Sequence, residues 1–198
     1  MKPYQTVKNI PLKTSTCALF IFLFFSSFSH ALTWDDARKI YMERKYKKMV
    51  DVHSLIIQYT EKLDLPSPEL FAALILVESA ANPCAKSHAG AVGLTQLMPL
   101  TAKAHGVKDS YNVRQNIMGG AKTLRESLDI AKGDIPLALA IYNFGPKAKR
   151  IEYSKWPKET KNYIVLVPRK LAYLKKVGWK NKIPKSLPYQ NERTCRLS

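Results

Sequence analysis

Residues 67–80 read Ser-Pro-Glu-Leu-Phe-Ala-Ala-Leu-Ile-Leu-Val-Glu-Ser-Ala, and the fold turns on them. Ser67 is a capping residue, Pro68 suits the first helical position, and Glu69 puts an acid in the first turn. The helix they open is apolar nearly all round, which predicts burial on every side. One carboxylate interrupts it. Glu78 follows Phe71 by two turns and shares a stripe with Phe71, Leu74 and Ile75, so its carboxyl points where the apolar side chains point. Loss of solvation there raises its pKa and keeps a proton available near neutrality. That is what a general acid needs, and glycosidases obtain it with a hydrophobic pocket around one Glu. A Glu at a helix end also suits a carboxylate that reaches water or caps a loop. From this feature alone the plainer role is favoured.

Helical signals continue on both sides. Upstream, Thr33 with Asp35 and Asp36 opens a helix through about Lys48, and Leu55, Ile56, Tyr59 and Leu63 recur at helical spacing. From Asn82 to Pro99 the text turns to Pro, Gly and small residues, too broken for a regular helix. Asn116–Lys132 is helical again and closed by Gly133; Asp134-Ile135-Pro136 starts a short helix that stops at Gly145-Pro146. Glu159–Lys176 makes the last helix, which Pro168 is expected to bend or break. No strand-type alternation persists. The expected architecture is all-α with one long irregular loop and at most a small strand element inside it.

The 198 residues carry 32 Lys+Arg against 15 Asp+Glu, a formal charge of +17. A normal apolar fraction of 46% argues against wholesale disorder. Lys2, Lys8 and Lys13 precede an uncharged run from Ser15 to Phe28, and Ser29-His30-Ala31 follows with small residues at a cleavage site. This is the layout of a secretory signal cut after Ala31. Fourteen helical residues span roughly 21 Å, short of the ~30 Å hydrocarbon core, so no stable membrane insertion is expected after cleavage. The remainder keeps two cysteines, Cys84 and Cys195, and an exported chain with one such pair favours a disulfide between them. The alternative is two unrelated thiols, Cys84 buried and Cys195 in a frayed end. Charge is uneven: Leu32–Phe144 has 14 bases and 12 acids, whereas Gly145–Ser198 has 15 bases and 3 acids. His53, His88 and His105 show no metal-ligand spacing, and no phosphate-cradling glycine loop occurs, so neither metal nor cofactor is expected.

Four blocks in order carry a resemblance: Val77-Glu78-Ser79-Ala80 with Asn82-Pro83 to Ser87; Gly90-Ala91-Val92-Gly93-Leu94-Thr95-Gln96-Leu97-Met98-Pro99; Ala140-Ile141-Tyr142-Asn143-Phe144-Gly145-Pro146; and Glu159-Thr160-Lys161-Asn162-Tyr163. Together they resemble the catalytic domain of bacterial soluble lytic transglycosylases, a lysozyme-like (SLT) family acting on peptidoglycan. Thr95 stands where the family usually has Met and Phe144 where it usually has Ala; both are expected near the groove. The resemblance implies a lysozyme-like helical domain at residues 65–177, after a signal peptide (1–31) and an N-terminal helical segment (32–64), and before a basic tail (178–198).

It also implies the reaction. Glu78 would protonate the glycosidic oxygen between N-acetylmuramic acid and N-acetylglucosamine. It would then act as base toward the sugar's own C6 hydroxyl, leaving a 1,6-anhydro end without using water. Position by position, the resemblance assigns the groove to Ser87, Gln96, Met98, Tyr142, Asn143 and Tyr163. Each has a plainer reading: loop-internal hydrogen bonding for Ser87 and Gln96, core packing for Met98 and Tyr163, a satisfied core hydroxyl for Tyr142, a helix cap for Asn143. Tyr142 is the residue expected to orient Glu78. An ordinary hydrolase adds a second carboxylate, and none occurs between Glu78 and Asp109.

The expected setting is the periplasm, the partner the glycan strands of peptidoglycan, and the state a monomer. The short build suits a specialised enzyme that opens the wall for a secretion or conjugation apparatus. Alternatives are a goose-type-lysozyme-like hydrolase of the same bond, an inactive wall-binding protein, or a nucleic-acid or membrane-surface binder using the basic tail. A signal sequence and the lack of an aromatic-basic module argue against nucleic acid.

Overall fold

The computed structural model describes residues 52–181. The expected signal sequence, most of the N-terminal segment with the expected helix at Thr33–Lys48, and the tail beyond Asn181 with Cys195 lie outside the described residues. Among the described residues six α-helices follow in order: α1 His53–Lys62, α2 Pro68–Ser79, α3 Pro99–Ala104, α4 Val113–Ile130, α5 Ile135–Phe144 and α6 Lys158–Lys176. Short 3₁₀ turns occupy Pro146–Arg150, Tyr153–Lys155 and Trp179–Asn181.

α2 is the axis of the fold. Ser67 caps it, its Oγ accepting from Leu70 N–H at 3.1 Å, and Leu70 through Leu76 are all at most 2% exposed. A helix apolar on every face needs neighbours on every side. α1 and α6 pack directly on it, while α4 and α6 both flank α5. Ile117 and Leu124 of α4, Leu139 and Ala140 of α5, Val167 of α6 and Trp179 complete the core. Trp179 also closes the domain end to end: His53 Nε2 donates toward the carbonyls of Trp179 and Lys180, both at 3.1 Å, and the two rings lie 4.4 Å apart.

The sequence and the structure part in three places. α4 starts at Val113, three residues ahead of the expected Asn116, because Asn112 caps it by accepting from Gln115 N–H at 3.0 Å. Pro99 opens a short helix, α3, that the sequence reading passed over. The loop meets the expectation of at most a small strand element: two isolated antiparallel bridges, Lys86 with Val92 and Val92 with Leu97, are its regular pairing. Pro168 does not break α6, which continues to Lys176. Its ring is on the exposed side, where water can take the carbonyl that the missing N–H leaves free.

Candidate active site

The C-terminus of α2 delivers Glu78, and three devices fix where it points. Ala80 and Ala81 both take left-handed backbone (φ 54 and 58), so the chain turns away from the helix axis at once. Ser79 Oγ sits 2.8 Å from Leu94 O and 3.3 Å from Ile75 O, tying the helix end to the loop. Tyr163 of α6 donates its hydroxyl to Glu78 Oε1 at 2.6 Å.

Glu78 forms the floor of a cleft of about 790 Å³, within the usual range for small-molecule sites. Ser87, Ala89, Ala91, Gln96 and Met98 line the loop side. Lys158, Glu159, Asn162, Tyr163 and Leu166 of α6 line the other, and Val77, Tyr142 and Asn143 complete it. All six expected groove residues therefore reach the cleft together with Glu78. Tyr142, Gln96 and Ser87 take the bonds of their plainer readings, whereas Asn143 and Tyr163 make contacts the sequence did not assign to them. Tyr163, not Tyr142, touches the carboxyl; the Tyr142 hydroxyl donates to Thr95 O at 2.9 Å. Asn143 does not cap α5, which ends at Gly145; its Oδ1 accepts from Thr160 Oγ1 at 2.7 Å. Gln96 spends its amide N–H groups inside the loop, on Gly93 O at 2.9 Å and Ala85 O at 3.3 Å. Ser87 Oγ likewise accepts from Ala91 N–H at 3.0 Å. Met98 stays 42% exposed, an apolar wall at the mouth.

Neither family departure touches the cleft. Thr95 is wholly buried, and Phe144 packs against the core with Lys147 Nζ 4.0 Å from its ring centre. Both nevertheless sit next to it in the chain or by contact: Thr95 precedes the lining Gln96 and its carbonyl accepts from Tyr142, and Phe144 follows the lining Asn143. Thr95 faces inward because Asn116 holds it, and Phe144 is on the side of α5 away from Tyr142. Cys84 is exposed, not buried, and is disulfide-bonded; Cys195 lies outside the described residues.

The electrostatics centre on Glu78. Burial pushes its carboxyl up to about 7, the Tyr163 hydrogen bond pulls the other way, and the charge of Glu159 adds a further push upward. Glu78 as a whole residue is half-buried and lines the cleft. Tyr163 and Tyr142 both sit well above the ordinary tyrosine range, first through burial and then through the Glu78 charge. Both hydroxyls therefore stay protonated. With Oε1 accepting from Tyr163, the acid proton resides on Oε2.

The α6 wall is what the sequence reading missed. Glu159 and Leu166, four before and three after Tyr163, are its helical neighbours and were implied by placing it in the groove, whereas Lys158 and Asn162 lie further round the same face. Glu159 matters most, because it is a second carboxylate on the cleft, far from Glu78 in sequence.

The family model described as the transglycosylase SLT domain matches residues 54–164. A transglycosylase of Enterobacteria phage PRD1 is 45% identical over 96 residues, 48% of this chain and 34% of the phage protein. The membrane-bound lytic murein transglycosylase F of Pseudoalteromonas translucida is 43% identical over 94 residues, 44% of this chain and 19% of its own. Among solved structures, an inactive mutant of the lytic transglycosylase Slt from Pseudomonas aeruginosa aligns with a TM-score of 0.56 at 25% identity, covering 66% of this chain and 25% of that one. The chain thus spans about a third or less of the length of these relatives.

Proposed function

We propose, from the premise that this chain belongs to the transglycosylase SLT domain family, that it is a peptidoglycan lytic transglycosylase with Glu78 as its single acid–base residue. The observation that carries the reading is the carboxyl at the cleft floor, held near pKa 7 by burial and bonded at Oε1 by Tyr163. At neutral pH such a group both gives and takes a proton readily. Glu78 Oε2 donates its proton to the glycosidic oxygen as the bond to the muramyl C1 breaks. The substrate's N-acetyl group shoulders the positive charge that develops. The Glu78 carboxylate, its charge eased by the Tyr163 hydroxyl, then takes the proton of the C6 hydroxyl as that oxygen closes on C1. The product is a 1,6-anhydromuramyl end, and Glu78 is protonated again.

Ser87, Gln96, Met98, Asn143 and Tyr163 would line the sugars, polar groups meeting N-acetyl and hydroxyl groups and Met98 an apolar sugar face. Supporting features outside the described residues are the exported start and a basic tail that suits an anionic wall. A Cys84–Cys195 disulfide would set that tail beside the loop. A wall-opening role in a secretion or conjugation apparatus fits the short build.

Glu159 favours a second reading. A carboxylate on the same cleft could activate water, as in goose-type-lysozyme-like hydrolysis. Mass spectrometry of sacculus digests decides between them: lytic products carry anhydro ends, and hydrolytic products are heavier by one water. Absence of either product would refute the enzymatic reading.

A further inference from the structure

The buried contacts behind the loop wall converge on one residue that does not line the cleft. Asn116, on α4 and 1% exposed, uses its whole side chain on the loop and its approaches. Its Oδ1 accepts from Thr95 N–H at 2.9 Å and lies 2.8 Å from Thr95 Oγ1. Its Nδ2 donates to Val92 O and Ser110 O, both at 2.9 Å. Two glycines exist to let this happen. A Cβ on Gly93 would run into the Asn116 amide, and one on Gly120 into the Thr95 side chain. The held residue then presents its carbonyl to Tyr142, whose hydroxyl donates to it at 2.9 Å.

A tyrosine hydroxyl has one proton. Given to Thr95 O, that proton is unavailable to Glu78, although both residues line the same cleft. Resting on the reading of Glu78 as the acid, we propose that Asn116 and Thr95 are positioning residues. They hold the carbonyl that claims the Tyr142 proton, and so keep Tyr142 from hydrogen-bonding the Glu78 carboxylate as a second donor.

The consequence follows from elementary acid–base physics. One donor, Tyr163, already favours the charged form of Glu78. A second would favour it further, and Glu78 would lose its proton at a lower pH. A buried hydroxyl deprived of its carbonyl must find another acceptor, and the carboxylate sharing the cleft is an anionic one. The other charged or titratable groups on the cleft are Tyr163, Glu159 and Lys158, all from α6; the loop side contributes only uncharged residues. None of them changes when Thr95 is altered.

The test is the pH dependence of kcat/KM on soluble glycan chains, read as anhydro product, for Thr95→Val, Thr95→Ser and Tyr142→Phe. Thr95→Val removes both Oγ1 bonds to Asn116, at 2.8 and 3.1 Å, and sets a methyl against the buried Asn116 amide, which should displace residue 95 and draw its carbonyl away from the Tyr142 hydroxyl. It should move the alkaline midpoint down by at least half a pH unit and lower kcat more than KM. Thr95→Ser keeps the hydroxyl and should restore the wild-type midpoint. In a Tyr142→Phe background, Thr95→Val should no longer move the midpoint, since the hydroxyl that was to be misdirected is gone. A Thr95→Val protein with native circular dichroism and an unmoved midpoint overturns the proposal. So does a shift that persists without the Tyr142 hydroxyl. If wild-type protein forms no anhydro product, the functional reading itself falls and this one with it, a result distinct from products with unmoved midpoints.

Discussion

The two sides of the cleft are built by opposite means. The α6 side is one face of a regular helix: Lys158, Glu159, Asn162, Tyr163 and Leu166 reach the cleft because 3.6-residue periodicity puts them there. The loop side has no periodicity and is held residue by residue. Ser87 N–H donates to Ala91 O, Gly93 N–H to Ala85 O, and Val92 and Leu97 exchange both backbone bonds at 3.0 Å, while Asn116 anchors the loop from behind. Side chains on the helical side are therefore separable. A change there should alter chemistry and leave the frame. A change on the loop side should alter the frame first.

Glu78, which both sides serve, gives the largest effect. Glu78→Gln should lower anhydro-product formation at least ~10²-fold, the low end of general-acid contributions. The same substitution should stabilise the protein at alkaline pH. The native carboxyl titrates at about 7 against an ordinary value of 4.5, so between these values the folded state keeps a proton the unfolded chain has released. Wild-type stability therefore falls as pH rises from about 4.5 to about 7, and the loss above that is up to about 3 kcal/mol. Denaturant melts should show Gln ahead of Glu at pH 8 and level with it near pH 4. Equal pH slopes in the two proteins would mean Glu78 is not desolvated.

Tyr163→Phe tests the helical side. Loss of the donor to Oε1 removes an influence that lowers the Glu78 pKa, so the alkaline midpoint of kcat/KM should rise. Turnover should fall roughly 10-fold, the low end for a hydrogen bond to a charged group. A midpoint that falls instead would reverse the assignment of the donor. Because the rest of α6 is untouched, thermal stability should change little.

The asymmetry also explains what the sequence disclosed. Ser67, Pro68 and the apolar run through Val77 made α2 legible, because caps and periodicity are local signals; for Glu78 they favoured a carboxylate reaching water, and only the motif blocks pointed to a buried acid. The four motif blocks brought the groove residues together, and every one of them lines the cleft. Which tyrosine touches Glu78 was not legible. Tyr142 and Tyr163 are both buried cleft residues, and the choice depends on where Thr95 O stands, which depends on Asn116, 21 residues further on. Helix α3 was missed because Pro99-Leu100-Thr101-Ala102-Lys103-Ala104 is too short for an amphipathic pattern and leaves Leu100 82% exposed.

On the loop side, two glycines separate frame from flexibility. Gly93 has φ 83, and an added Cβ would also strike the Asn116 amide and come within 2.6 Å of Ser110 O. Gly90 has φ 89 but nothing within 4 Å of such a Cβ. Gly90→Ala should thus cost about 1–2 kcal/mol, the backbone term alone. Gly93→Ala should cost roughly 2–4 kcal/mol, through strain plus displacement of the Asn116 anchor. Urea melts measure both. Equal losses would show that the loop gives way to the intruding methyl and is not held from behind.

The smallest effect separates the lytic from the hydrolytic reading. Glu159 is exposed on the cleft wall, one turn from Tyr163, and its charge pushes the Glu78 pKa upward as the least of three causes. Replacing it with Gln removes that push, so the alkaline midpoint of kcat/KM should fall by a few tenths of a pH unit. An exposed charge acts through solvent, and salt screens it within ~8–10 Å at physiological ionic strength. Raising salt should therefore lower the wild-type midpoint by a similar amount and leave the Glu159→Gln midpoint where it was. Turnover should stay within a few-fold of wild type, since no step of the lytic route uses this carboxylate. If Glu159 instead activates water, Glu159→Gln should lose turnover by ~10² or more, as expected for a general base. Its wild-type products would then also be one water heavier. A small midpoint shift with anhydro products leaves Glu159 as a neighbour whose field tunes the acid and whose oxygens take no part in bond cleavage.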